Sequence, residues 1–333
     1  MTHTRIQDLA ENMGVSRTTV WKALNNKGGI SEALRKKILK QAEQEGIIPP
    51  SKAAEGEIHH RKSFAVAVSR MESSVFWMNI INYIAVELSR HDVDLVYTYL
   101  PSSLESGYHL PGTFDGVSGV IVLNVYDAQL LKLLSNLPCP KVFLDTVPEM
   151  PYSALNGDLV LIEGREAIRE ITVNLIGRGL TTLGFVGDPY YALTNKDRLL
   201  GFKDALLEKN IPFDPKFSFI KPINASLYYE ETREFISSLD ALPDAFVCAS
   251  DFVAHCIVRA LTETNRKLSE SFTVTGFDNS TEFENISGKI TTCDVQTHSI
   301  GRRLANRILY LSEFPDSARE VSYILSKVII REK

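Results

Sequence analysis

The sequence predicts two structural classes in one chain of 333 residues: an all-α head, then an α/β body of two doubly wound parallel sheets. Two observations predict this division. Helical spacing of apolar residues dominates the first 48 residues, whereas from residue 63 onward short apolar runs alternate with amphipathic segments of helix length. Residues 49–62 (PPSKAAEGEIHHRK) lack apolar periodicity and are predicted to be a linker.

The head begins with the pattern of a helix-turn-helix. Apolar residues recur at helical spacing from Ile6 to Met13, and Thr4 with Gln7 is predicted to form a capping box. Gly14 supplies the turn, because glycine adopts positive φ without strain. The first helix is therefore predicted to end just before a tight turn.

Ser16 is predicted to cap a second helix, whose buried face would be Val20, Ala23 and Leu24. Its opposite face carries the side chains typical of a recognition helix: Arg17, Thr18, Trp21 and Lys22. A third helix is predicted from its cap Ser31 to Gly46. On its solvent side we expect four cations that contact phosphates or are simply solvated: Arg35, Lys36, Lys37 and Lys40.

The charge distribution separates two interpretations of this pattern. An amphipathic helical hairpin with solvated charges would look the same locally. However, residues 1–62 hold 11 Lys and Arg against 7 Asp and Glu, whereas the remainder holds 25 against 34. Because the excess positive charge lies at one end of an acidic chain, the asymmetry favours a head that binds nucleic-acid phosphates.

Composition places the chain among soluble globular proteins. No apolar run has the length of a membrane span and no leader pattern is present, so a cytosolic location is expected. The four cysteines are scattered without metal-ligand spacing: Cys139, Cys248, Cys256 and Cys293. They are predicted to be buried thiols, and neither a metal nor a cofactor is predicted.

In the body, strands and helices alternate in the way typical of parallel sheets covered on both faces. The strand candidates are residues 64–68, 95–99, 120–123, 142–144, 183–186, 217–220, 246–249 and 272–276. The helix candidates are residues 76–88, 163–176, 197–208, 228–239 and 253–263. This number of strands suits two doubly wound lobes better than one barrel, which the pattern alone does not exclude.

Polar residues follow many of these strands, where ligands bind in doubly wound folds. They are Ser69, Arg70, Asp145, Asp188, Ser250, Asp251, Asp278 and Asn279. Each alone is also typical of a turn or a helix cap, as Asp251 illustrates. Together with the aromatic residues Phe76 and Trp77 they predict a polar cleft for a hydroxyl-rich ligand.

Several motifs in this order resemble the LacI/GalR family of bacterial transcription regulators over nearly the whole chain. They are MGVSRTTVWKALNN at 13–26, FLD at 143–145, DRLLGF at 197–202, CASD at 248–251, VTGFDN at 274–279 and ITT at 290–292. The resemblance implies a helix-turn-helix domain at 1–48, a hinge at 49–62 and a type I body at 63–333, similar to periplasmic sugar-binding proteins. It places the N-lobe at about 63–157 and 295–320, and the C-lobe at about 158–294 and 321–333.

The resemblance also implies site residues. The DNA-binding positions are Ser16, Arg17, Thr18, Thr19, Lys22 and Asn25. The effector positions, with Phe76 as an apolar plate, are Phe76, Asp145, Arg198, Ser250 and Asp278. Arg198 has an alternative role in a surface salt bridge with Asp197 or Glu208.

The chain departs from the family pattern at several positions. Ser250 replaces a usual Asn, Val295 replaces a frequent Gln, and Trp21 occupies a position that is usually small. The hinge motif N-x-x-A-R-x-L reads PSKAAEG at residues 50–56, without the leucine that enters the minor groove, so hinge kinking of DNA is not expected. No C-terminal leucine heptad follows, so the expected assembly is a homodimer.

The leading hypothesis is a DNA-binding transcription repressor without enzymatic activity, a homodimer on operator DNA controlled by a sugar or sugar phosphate between its lobes. The alternatives are a sugar-processing enzyme and a sugar-binding protein for uptake. The sequence lacks G-x-S-x-G, Walker and strand-linked G-x-G-x-x-G motifs, which disfavours the enzyme. The basic head disfavours an uptake protein.

Overall fold

The chain forms two compact units, Met1–Arg61 and Lys62–Lys333, here called the head and the body. The computed structural model describes residues 2–25, 27–48, 62–69, 74–105, 107–222, 227–266 and 272–331. Except for Lys62, the predicted linker lies outside the described residues, and so does Arg70.

The head contains the three predicted helices. They are α1 (Thr2–Asn12), α2 (Arg17–Leu24) and α3 (Glu32–Gln44). One small core joins them, centred on Leu9, Val20 and Ile38, all of which are fully buried. Gly14 has the predicted positive φ, at +64°. The capping box was wrong, because α1 begins at Thr2 and Thr4 therefore lies inside the helix.

The body alternates strands and helices as predicted. Its strands are β1 (Ser63–Val68), β2 (Asp94–Tyr99), β3 (Gly119–Leu123), β4 (Lys141–Leu144), β5 (Asp158–Ile162), β6 (Leu183–Val186), β7 (Ala245–Cys248), β8 (Thr273–Thr275), β9 (Thr292–Asp294), β10 (Val321–Ile324) and β11 (Lys327–Ile329). Its helices are α4 (Val75–Ser89), α5 (Ala128–Ser135), α6 (Arg165–Gly177), α7 (Leu193–Glu208), α8 (Tyr228–Ser238), α9 (Asp251–Glu263) and α10 (Thr297–Glu313).

Six parallel strands form the sheet of the N-lobe, in the order β10-β5-β4-β3-β1-β2. Strand β1 shows why the sheet is covered on both faces. Phe64, Val66 and Val68 point into the core beneath α4 and α10, whereas Ala65 and Ala67 point into the core beneath α5. This alternation with every residue apolar is the pattern of a strand buried on both sides.

The C-lobe has a smaller parallel sheet in the order β6-β7-β8, and an antiparallel pair of β9 with β11. Helices α6 and α7 contribute apolar residues to the core on one side, and α8 and α9 to the core on the other. The strand predicted at 217–220 was wrong: Pro215–Phe217 is a 3₁₀ turn, and Phe219 forms a single bridge to Val186.

The lobe boundaries differ from the expected ones at two strands. β5 and β10 were expected in the C-lobe, beginning at residues 158 and 321. Instead β5 pairs with β4, and β10 pairs with β5, so both belong to the N-lobe sheet. The physical reason is burial: the LVLI run of β5 is buried on both faces and is stable only inside the larger sheet.

Candidate DNA-binding and effector sites

The start of α2 is fixed by its own first turn. Ser16 Oγ accepts a hydrogen bond from the backbone N–H of Thr19 at 3.1 Å, as predicted for a cap. The hydroxyls of Ser16 and Thr19 also lie 2.8 Å apart. Asn25 ends the helix and donates through Nδ2 to the carbonyl of Trp21 at 2.9 Å. These three side chains therefore shape the helix ends.

The outward face of α2 matches the predicted recognition surface. Val20 and Ala23 are buried, whereas Arg17, Thr18 and Trp21 are exposed and Lys22 is half-buried. Trp21 is 48% exposed, so its indole is available to an external surface. An Arg, a Thr and a Lys on one short helix can donate to base edges and phosphates.

Arg35 departs from the prediction for α3. It was expected on the solvent side with three lysines, but it is only 6% exposed. Its guanidinium donates through Nη2 to the carbonyl of Lys27 at 2.7 Å, and through Nη1 to that of Lys22 at 3.5 Å. Helical spacing from Ile38 and Leu39 places Arg35 on the buried face, a signal that its charge obscured. The lysines expected beside it are exposed: Lys36, Lys37 and Lys40.

In the body, the predicted polar residues meet at the carboxyl ends of the strands of both lobes. Ser69 and Asp145 follow β1 and β4 of the N-lobe, while Asp188, Ser250 and Asp278 follow β6, β7 and β8 of the C-lobe. The space between these strand ends is here called the cleft.

Asp145 is held by donors from its own turn and from the C-lobe. It is buried and has a left-handed φ of +68°. Its carboxylate accepts from the hydroxyl of Thr194 at 2.5 Å and from the N–H of Thr146 at 2.8 Å. Burial raises the pKa of Asp145, opposed by these hydrogen bonds and by the charge of Arg198. Asp145 therefore joins the end of β4 to the first turn of α7.

Arg198 projects from α7 as a buried cation. Nη1 donates to the carbonyl of Ala249 at 2.7 Å and to Asn195 Oδ1 at 3.3 Å, and the guanidinium carbon lies 3.7 Å from the ring centre of Phe277. Nε is buried and has no hydrogen-bond partner among the described residues. The alternative of a surface salt bridge was wrong, because Arg198 is 6% exposed and Glu208 pairs with Arg169 instead.

Asp278 follows the end of β8 and has a backbone conformation that is unusual for a residue other than glycine. Its φ is +117°, and its N–H donates to the carbonyl of Cys293 at 3.0 Å. Burial raises the pKa of Asp278 to about 8, with Arg198 acting to lower it and the Asp251 carboxylate acting to raise it. An acidic group with this pKa is mostly protonated near neutral pH.

The helix after β7 is capped by Ser250 and not by Asp251, the residue that illustrated the cap in the sequence. Ser250 is the cap of α9, because its Oγ accepts from the N–H of Val253 at 3.3 Å. Asp251 is the buried first residue of the helix. Its carboxylate accepts from the hydroxyl of Thr292 at 2.7 Å and from the N–H of Ser280 at 2.6 Å. Asp251 thereby fixes the loop that carries Asp278.

Phe76 lies in the first turn of α4, at the edge of the cleft. Its ring meets that of Trp77 edge-on, with centroids 5.1 Å apart. In the same turn, the N–H of Val75 donates to Glu282 of the C-lobe at 3.3 Å. Phe76 is half-buried and packs partly against the core, so the structure places it near the second lobe without showing a ligand contact.

Sequence reasoning missed three residues that cross the cleft. Tyr126 follows β3, and Tyr191 and Thr194 lie at the entry to α7. The rings of Tyr126 and Tyr191 are 4.2 Å apart, and Tyr191 OH donates to Asn124 Oδ1 at 3.3 Å. Their position after buried strands was the available signal.

A separate cavity of about 490 Å³ lies in the C-lobe, between α9 and β8. Residues that line it include Arg178, Val258, Arg266, Phe272 and Arg331. None of the predicted effector residues lines this cavity, so it is not the cleft.

Two family models match the chain in succession. Residues 5–49 match bacterial regulatory proteins of the lacI family, and residues 173–332 match the periplasmic binding protein-like domain. Together they cover more than half of the chain. The chain thus joins a lacI-family head to a periplasmic binding protein-like domain. It is therefore a DNA-binding transcription regulator.

Relatives match the chain along nearly its full length. The transcriptional regulator RegA of Clostridium saccharobutylicum is 25% identical over 342 residues, covering 99% of this chain and 98% of its own. The fold is that of a solved CelR–cellobiose complex, at TM-score 0.69 and 20% identity, with 98% of each chain covered. It is also that of a Lac repressor dimer bound to operator and the anti-inducer ONPF, at TM-score 0.65 and 20% identity, with 97% of each chain covered.

The described residues show two further properties. None of their helices is both long enough and apolar enough to cross a membrane. Cys248, Cys256 and Cys293 are buried free thiols, as predicted, and Cys139 is half-buried.

Proposed function

We propose that this regulator is a repressor that binds a pseudo-palindromic operator as a homodimer and responds to a carbohydrate in the cleft. The single observation that carries the proposal is the exposed face of α2, held on a three-helix core in a lacI-family head. A regulator of chromosomal transcription works in the cytoplasm, and we propose that location.

For DNA recognition, six residues of the head have different roles. Arg17, Thr18 and Lys22 present donors to base edges in the major groove. Ser16 and Thr19 lie at the N-terminus of α2, where hydroxyls and backbone N–H groups suit a phosphate. Asn25 holds the last turn through its bond to Trp21 and extends the surface toward the DNA backbone.

The experiment for this part begins with selection of duplexes from a random library by the full chain. Arg17→Ala is expected to weaken binding to the selected duplex by roughly 1 to 3 kcal/mol and to relax base preference at one position. Lys36→Ala, an exposed charge on α3, is the matched control and should weaken all duplexes alike. A uniform loss for Arg17→Ala, with base preference unchanged, would contradict its role in base reading.

For effector binding we propose Phe76, Asp145, Arg198, Ser250 and Asp278. Arg198 and Asp278 provide a donor and an acceptor for hydroxyl groups. The buried Nε of Arg198 has no hydrogen-bond partner among the described residues, so it is available to donate to a ligand. Asp145 and Ser250 act more through position, since their oxygens already accept bonds from Thr194 and Val253. The CelR structure contains cellobiose, which makes a carbohydrate the first class to test.

The proposed dimer surface is an exposed apolar patch on α4 and the edge strand β2. Its members are Val75, Met78, Val86, Tyr97 and Tyr99. Met78 is 54% exposed and Tyr97 is 49% exposed, and β2 is the last strand of the N-lobe sheet among the described residues, a position at which another chain can pack. The operator-bound Lac repressor is a dimer, which supports the same assembly here.

We also propose that the cleft binds its carbohydrate without chemical change. The carboxylates of Asp145 and Asp251 are each engaged by two or more hydrogen bonds from the protein, which suits a structural role rather than proton transfer. Incubation of the purified chain with a carbohydrate that binds it, followed by product analysis, should return the carbohydrate unaltered. Turnover would favour the enzyme alternative.

A further inference from the structure

Two tyrosines from opposite lobes meet across the cleft. Tyr126 belongs to the segment between β3 and α5 of the N-lobe, and Tyr191 to the segment between β6 and α7 of the C-lobe. Their ring centroids are 4.2 Å apart with the planes tilted by 45°. At this separation the rings are in contact, so no part of a ligand passes between them.

Each ring is also fixed through its hydroxyl. Tyr191 OH donates to Asn124 Oδ1 at 3.3 Å, which ties the C-lobe residue to the end of β3. Tyr126 OH donates to Asp145 Oδ2 at 3.4 Å, at the end of β4. A ring that is anchored at its hydroxyl and in contact with the other ring cannot swing aside without losing both interactions.

The backbone next to Tyr191 is held at the same place. The N–H of Leu193 donates to the carbonyl of Thr146 at 2.8 Å, and the hydroxyl of Thr194 donates to Asp145 at 2.5 Å. Residues 191–194 therefore lie against the ends of β3 and β4. We call this set of contacts the tyrosine bridge.

Two further polar groups suited to a ligand extend toward the strand ends of the C-lobe. Arg198 reaches the end of β7 through its bond to Ala249, and Asp278 follows β8. The buried Nε of Arg198 has no hydrogen-bond partner among the described residues. A ligand that uses Arg198 and Asp278 is therefore bounded by the tyrosine bridge toward β3 and β4.

We propose that the tyrosine bridge limits the effector to a single sugar ring, and that Tyr191 is the residue that determines this size. The inference rests on the proposed function, in which a carbohydrate binds in the cleft. One ring carries enough hydroxyls to pair with both Arg198 and Asp278. A second, glycosidically linked ring would displace the two contacting tyrosines and leave Asn124 and Asp145 without those donors.

The test uses the full chain and a matched panel: ribose, glucose with cellobiose and maltose, and galactose with lactose. Melting temperature and isothermal titration report binding, because a ligand of the native state raises the melting temperature. We expect the wild type to bind at least one monosaccharide, and the disaccharides built from it at least tenfold more weakly.

Two variants separate ring size from stability. Tyr191→Ala is expected to bind the disaccharides at least tenfold more tightly than the wild type does. Tyr191→Phe keeps the ring but removes the hydroxyl bond to Asn124, so it should retain the discrimination of the wild type. The melting temperature of each variant without sugar shows whether it folds, and Tyr191→Phe keeps the test valid if Tyr191→Ala does not.

The outcomes distinguish two failures. If the wild type binds a disaccharide as tightly as its component monosaccharide, the size limit is wrong although the carbohydrate effector stands. Unchanged discrimination in a folded Tyr191→Ala would also overturn the role of Tyr191. If neither the wild type nor the variants bind any sugar of the panel, the proposed carbohydrate effector itself is contradicted.

Discussion

At the residue scale, charge and burial conflict most clearly at Asp278. Its carboxyl group is near the Asp251 carboxylate, and Arg198 supplies the compensating positive charge. Removal of a carboxylate from water disfavours its charged form, which explains the rise of the pKa of Asp278 to about 8. If Asp278 binds the effector as proposed, that binding is linked to the proton on Asp278.

This conflict predicts how stability depends on pH. Because the folded pKa of Asp278 is about 8 and the ordinary value is 3.8, the folded state retains a proton that the unfolded state loses between these values. The unfolding free energy should therefore fall as pH rises from about 4 to 8. Asp278→Asn carries no titrating group and should show a flatter decline. Urea unfolding of both proteins at pH 5.5, 7 and 8.5 measures this difference, and equal slopes would contradict it.

The sequence predicted which residues reach the cleft better than what they do there. Polar residues after buried strands were sufficient to find Asp145, Ser250 and Asp278, because parallel strands end at one edge. The hydrogen bonds from Thr194 to Asp145 join the two lobes. These two residues are 49 positions apart in the sequence, and no local pattern encodes that contact. At Arg35 a local pattern was available but was not used. Its position in the helix predicted burial, whereas its charge led us to expect exposure to solvent.

At the scale of elements, α9 and the loop after β8 depend on a glycine. A Cβ added at Gly276 would lie 2.0 Å from Asp251 Oδ1, the atom that accepts from Thr292. Gly276→Ala should therefore destabilise the body by about 1 to 3 kcal/mol, because the buried carboxylate must shift. Thermal or urea unfolding measures the change.

Gly177, the last residue of α6, is the matched control. A Cβ there meets nothing within 4 Å, so Gly177→Ala should be neutral or stabilise by up to about 1 kcal/mol. Similar stabilities for Gly276→Ala and Gly177→Ala would show that the contact with Asp251 does not constrain the loop.

Elements with a strong local period were predictable, and those defined by distant partners were not. The predicted strands include β1, β3, β4 and β6, which are apolar apart from Ser63 and Lys141. By contrast, β10 has the mixed sequence VSYI and is only partly buried. It forms a strand by pairing with β5, some 160 residues earlier. The lobe boundaries were misplaced for this reason, since sheet membership depends on long-range pairing.

At the scale of the whole molecule, the apolar patch on α4 and β2 predicts self-association. Met78→Lys places a charge in the proposed interface and should weaken the dimer by about 2 kcal/mol or more. Leu207→Lys on α7 is the control, since Leu207 is 77% exposed but lies outside the patch. Sedimentation over a concentration series should show dissociation only for Met78→Lys. Equal dissociation constants for the two variants would move the interface elsewhere.

We expect a sugar bound in the body to control how tightly the chain binds DNA. The most direct measurement is fluorescence anisotropy of the selected duplex with the full chain, with and without a panel sugar that raises the melting temperature. We expect the sugar to change the Kd for the duplex by about 5- to 150-fold, which is the range of ordinary allosteric coupling. If a sugar raises the melting temperature but leaves the Kd for the duplex unchanged, control of DNA binding by a sugar in the body is wrong.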